Sequence, residues 1–389
     1  MDAVDRETIS PECRPNAGWR LAMLTALTAG GLSFGSYQQT IQDNMLSRAA
    51  TDLQTKQAKL TASYEAKSDA ISRQSDRLIN LTSNVKNAEV AIDNGLEGIE
   101  EIETLLNNMK AALGEIERSD SEYYRDQYDD YLRQINSVAD RYSSAFNPIG
   151  RVTDRLTWEP NDIVYNKDYA STQTTLPGTY VGADFRIEDV NGTMWIPDLG
   201  SQTLTEYTSY NAETPRDSDE TGQITSTING ITAVTEPDAS GNQTFSMIIG
   251  GEEVQVTGKL VTGGLGVTGT WNHNDFATQD DIDAAVDELN AASVKLDIAK
   301  AQIVSNKTMV STDLAGIDKK QDALKEDQRD AMYDNLEALT ALEQEYNQQV
   351  TAMQRNMEAM SVQQQTYLSV FSSALSSSSN NPLFVDTMI

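Results

Sequence analysis

Few residues of this chain are of types that do chemistry, and their spacing works against them. His273 is the only histidine and Cys13 the only cysteine. One histidine removes most His-based metal sites, and one cysteine excludes an intramolecular disulfide or a thiolate cluster. Cys13 stands between Pro11 and Pro15 in a leader of mixed charge, and His273 stands between Asn272 and Asn274 in what reads as a loop. Asp217-Ser218-Asp219-Glu220 resembles part of a calcium loop but lacks the twelve-residue spacing and terminal Glu that such a loop needs. Gly263-Gly264-Leu265-Gly266 neither opens a helix nor leads to Lys-Ser/Thr, so it reads as a strand connection and not a phosphate cradle. Glu100, Glu101 and Glu103 fall on a solvent-facing helix side. No nucleophile, base and orienter come together, and the expectation is no enzyme, no cofactor and no metal.

What the sequence does carry is periodicity. Tyr64, Ile71, Leu78, Val85, Ile92, Ile99, Leu106 and Leu113 follow one another at seven-residue steps. A companion row turns apolar at Leu81, Ala88, Ile102, Met109 and Ile116. Such a repeat keeps one helix face against another long helix. A second row, Ile282, Leu289, Leu296, Ile303, Val310, Ile317 and Leu324, lies near the other end of the chain. After Leu324 the row shifts by one residue, to Met332, Leu339, Tyr346, Met353, Met360 and Tyr367, which marks a kink or a break. The fold class expected is therefore α+β: a long antiparallel α-helical coiled-coil rod formed by N- and C-terminal arms, with an all-β inserted domain.

The remaining elements follow in order. Residues 1–46 are a leader and an apolar terminal helix, whose stretch 21–32 is too short to span a bilayer. Residues 47–148 form the first arm, a helix from about Ser47 to Glu117, a break at 119–121, and a second helix. That second helix carries Tyr124, Tyr128, Tyr131, Ile135, Val138, Tyr142 and Phe146 and folds back along the first. Gly95 and Gly98 inside the long helix permit close approach of another helix.

Residues 149–277 hold 15 of the 23 glycines, and their runs alternate as strands do, with turns at Asn191-Gly192, Gly250-Gly251 and Asn229-Gly230. Trp158, Trp195 and Trp271 belong to the core of this β domain. Residues 278–345 are the returning arm, with Thr278 and Asp281 as a start signal of the capping-box type. Residues 346–389 are a helix and tail for packing between subunits, the helix dissolving at the serines 376–379. The charge of −30 argues against nucleic acid and anionic membrane surfaces.

The stretch 84–109, in which Ala88 and Ala91 lead to Gly95-Leu96 and the Ile/Leu stripe, resembles the N-terminal helical domain of flagellins. Residues 131–146 resemble the next helix and the small-residue-plus-Phe step that leads outward. Residues 314–342, with Gln321-Asp322, are similar to the C-terminal helix of the same rod. The resemblance implies a secreted structural subunit of an extracellular, bacterial cell-surface filament, a homo-oligomer with an export chaperone as partner and no stable membrane insertion. Rival readings are a secretion translocon or needle-tip protein, and a viral fibre protein.

Overall fold

The computed structural model describes residues 35–119, 122–141, 147–151, 158–168, 173–198, 201–211 and 218–378. Cys13, the stretch 21–32, Tyr142, Phe146, Asp217 and the tail from 379 lie outside them. Helices α1 (Gly35–Ser119) and α2 (Glu122–Asp140) come first. Nine strands follow among the described residues: β1 (Ile163–Asn166), β2 (Gln173–Leu176), β3 (Phe185–Asp189), β4 (Met194–Asp198), β5 (Thr203–Ser209), β6 (Asp219–Ile224), β7 (Thr232–Ala233), β8 (Asn242–Ile249) and β9 (Glu252–Thr262). The described chain ends on α3 (Gln279–Ser378).

Local chemistry accounts for the start of α3. The Thr278 amide donates to Asp281 Oδ2 at 2.9 Å, and the Asp281 amide donates back to Thr278 Oγ1 at 3.3 Å. Asp281 thus does what Glu usually does in a reciprocal cap. A break after Leu324 is absent: α3 is one helix, and Ala331, seven residues on, is buried while Met332 is 50% exposed. Serines 376–378 also stay helical. A serine costs only about 0.5 kcal/mol against alanine in a helix, so a serine run alone does not end one. At the other end, α1 begins twelve residues before Ser47, because no proline or glycine interrupts the chain between Gly35 and Ser47.

Seven strands form one antiparallel sheet in the order β6-β5-β4-β3-β9-β8-β7, and β1 pairs with β2 separately. Asn191-Gly192 and Gly250-Gly251 close the β3–β4 and β8–β9 hairpins, with φ of +90° at Gly192, +60° at Gly250 and +91° at Gly251. Asn229-Gly230 closes no hairpin. It lies in a 3-10 turn, Ile228–Gly230, where Thr227 Oγ1 accepts from the Gly230 amide. Ile228 and Ile231 are both buried in the sheet core, so the chain turns inward there and cannot run out into two arms.

The described chain divides into two units, one of residues 35–70 with 328–378, the other of residues 71–327. The second unit has two cores. Around its helices, the heptad rows cluster with Ile163, Tyr165, Leu176, Val181, Leu265 and Val267. The seven-stranded sheet covers Phe185, Ile187, Trp195, Phe245, Met247 and Trp271. The expected all-β insertion is therefore divided. Its opening and closing segments belong to the helical core, and only the sheet has a core of its own. Trp158 lies outside the sheet core, beneath the Arg186 guanidinium at 5.0 Å.

Candidate functional site

The residues with the strongest pattern are the two heptad rows. In the unit of residues 71–327, Ile71, Leu78, Val85, Ile92, Ile99, Leu106 and Leu113 are buried, as are Ile282, Leu289, Leu296, Ile303, Val310 and Ile317; Leu324 is half-buried against them. Polar contacts across the two helices fix their sense. Lys110 Nζ donates to Ser293 Oγ at 3.0 Å, Lys300 pairs with Glu103 at 3.2 Å, Lys307 with Asp93 at 2.8 Å, and Gln321 reaches Thr82 Oγ1 at 3.3 Å. As the residue number falls on α1 it rises on α3, so within this unit the helices run in opposite directions. Exposed ion pairs of this kind report register more than they stabilise.

Gly95 and Gly98 do allow a close approach, but not of a helix. A Cβ on Gly95 would lie 2.7 Å from Pro148 Cγ, and one on Gly98 would lie 2.5 Å from Ile149 Cδ1. The chain leaving α2 runs over α1 at these glycines. The glutamates are also less idle than expected. Glu101 takes both guanidinium nitrogens of Arg141, which holds its carboxyl below the usual range, and Glu103 is the partner of Lys300.

In the unit of residues 35–70 and 328–378 the same two helices are poorly covered. Leu53 and Ala331 are buried, and Tyr64, Leu339, Tyr346 and Met353 are half-buried. Leu336, Met360, Val362, Tyr367 and Val370 are exposed, four of them by about 60%. On α1, Ile41 and Met45 are half exposed. Lys56 bonds Asp52 and lies 4.0 Å from Glu345 of α3.

Buried polar side chains tie the irregular segments to the helices and to one another. Asp129 of α2 accepts from the Thr270 amide at 2.9 Å and Thr270 Oγ1 at 2.7 Å; burial raises its pKa, and these bonds work against that rise. Asn136 accepts from the Ala183 amide, and Asn306 of α3 donates to the Pro177 carbonyl. Asp184 pairs with Arg151 at 2.7 Å and accepts from the Tyr180 hydroxyl at 2.5 Å. Sequence reasoning missed all four anchors. Their partners are mostly backbone groups far along the chain, which leave no mark on residue spacing.

The described chemical candidates are scattered over the second unit. His273 is not in an open loop: it is 7% exposed, 2.9 Å from Glu288 of α3, and stacked on Phe276. Gly264 and Leu265 form a turn after β9, with Leu265 buried in the helical core. Asp219 and Glu220 lie on the exposed edge strand β6. Among the described residues no group of three or more His, Cys, Asp or Glu is placed to hold a metal, and no helix is long and apolar enough to cross a membrane. Comparison with protein-family models finds no match, and comparison with curated proteins finds none.

Proposed function

We propose that the chain is a structural subunit of an extracellular helical filament, flagellin-like in plan. In this reading α1 and α3 make an antiparallel coiled-coil rod, and the ends of both helices pack between subunits. The observation that carries it is a contrast along the same helices. Their heptad rows are buried between residues 71 and 317, while the last members of the α3 row, Met360 and Tyr367, stand 50% and 67% exposed. Burying such a side chain contributes about 1.5–3 kcal/mol, so a lattice that covers several per subunit outweighs the surface charge once salt screens it. Contacts of this head-to-tail type extend without closing. The seven-stranded sheet is left facing solvent as the variable surface.

The test is imaging of purified protein at high concentration, with the variant Leu336→Asp/Val362→Asp/Tyr367→Asp beside it. Filaments from the parent chain and none from the folded variant support the reading. A discrete trimer would favour a fibre protein, and leakage of vesicles by the monomer would favour a translocon.

A further inference from the structure

The face of α3 turned away from its buried row carries a second seam. The buried members Leu289, Leu296, Ile303 and Val310 point inward, so positions two and five residues after each point outward. One outward row runs from Ala291 through Ile298 and Ser305 to Thr312, the other from Val294 through Ala301 and Thr308 to Ala315. Together they alternate at gaps of three and four residues, the spacing of a packing helix, and not one is charged. All are exposed, Val294 by 59% and Ile298 by 63%. The corresponding outward positions of α1 carry charge at Arg73, Asp76, Glu97 and Glu101, with a shorter uncharged stretch, Asn80, Ser83, Asn87, Val90 and Asn94, between them. Asp287 bounds the seam at one end and Lys319 at the other.

The charges at the two ends identify the occupant. We propose that two copies of the chain pair through this face of α3, antiparallel, about a two-fold axis at the level of Ile303. That arrangement sets outward row against outward row for the whole seam. It brings Asp287 opposite Lys319 of the second copy. Val304, 48% exposed on the flank, meets Val304 of the second copy at the axis. A parallel pairing would instead oppose Asp287 to Asp287 and Lys319 to Lys319. For a chain of charge −30, an uncharged strip with complementary ends is the surface on which two copies approach without repulsion. The small residues let the helices come close, and the seam spans about 36 Å of helix. The contact is isologous and closes on itself, so it is distinct from the open-ended contacts proposed for the terminal arms.

Sedimentation velocity of the full chain tests it, with Asp287→Lys and Lys319→Asp examined singly and mixed. The parent dimerises, and each single swap weakens the dimer by about tenfold or more, because each places like charges at both ends. Mixing the two variants restores a heterodimer, since every swapped charge then meets its opposite. Ile298→Asp abolishes pairing in every combination, with an unchanged far-ultraviolet spectrum because the site is exposed. A parent chain that stays monomeric, or swaps that weaken pairing without rescue on mixing, overturns the proposal. Association indifferent to all three substitutions also overturns it and leaves the arm-mediated filament standing; dimers without filaments would do the reverse.

Discussion

A single methyl group distinguishes glycine from alanine, and at Gly98 there is no room for it. The Gly98→Ala side chain would meet the Ile149 Cδ1 methyl, and overpacking of this kind costs about 1–3 kcal/mol, against about 1 kcal/mol that alanine gains over glycine in a helix. Ile99 beside it is fully buried, and Ile99→Ala should cost about 2–5 kcal/mol. Both are read as shifts in a urea midpoint, and no loss at Gly98 would mean that the 148–149 segment does not rest there. Asp129 gives a pH signature. Its folded pKa is raised by burial, so the benefit of holding it protonated is full below about pH 4, where the unfolded carboxyl titrates, and is lost as pH rises through the folded value. Relative to Asp129→Asn, the parent should therefore lose stability as pH rises from about 4, and a difference that grew instead would contradict the assignment. At this scale the sequence was half legible. The heptad residues announced themselves by spacing, whereas Asp129, Asn136 and Asn306 serve backbone groups that only the fold brings near.

Among the elements, hairpin glycines and the start of α3 could be read because their chemistry is local. The continuity of α3 could not. A one-residue shift of the apolar row and a serine run both look like interruptions, yet neither removes a backbone hydrogen bond, and helix persists. The division of the β segment was hidden for a different reason: Ile163, Val181 and Leu265 alternate like any strand or turn residues, and nothing local says which core they join. The register of the sheet gives a direct check. Phe185 and Thr262 are partners on neighbouring strands, so the chain enters and leaves the sheet at one place. Replacing residues 187–260 by a short glycine linker, with Trp271→Ser to cover the exposed edge, should leave a helical unit that still melts cooperatively. Removing 155–270 should not, because it takes Ile163, Val181 and Leu265 from the helical core.

For the molecule as a whole, one sequence property has opposite effects at different places. The charge of −30 opposes association of separate copies, while uncharged or apolar faces on α3 and at the ends of both helices are exposed and, on the reading proposed, favour it. Association should therefore strengthen with salt up to physiological ionic strength, as screening removes the repulsion and leaves apolar burial intact. Light scattering across a salt series reads this, and association weakening with salt would point to ion pairs as its main source. The most direct measurement is negative-stain imaging of the purified full-length chain at high concentration in physiological salt. Filaments of uniform width that vanish in Leu336→Asp/Val362→Asp/Tyr367→Asp are the predicted result; particles of one fixed size at every concentration would contradict it.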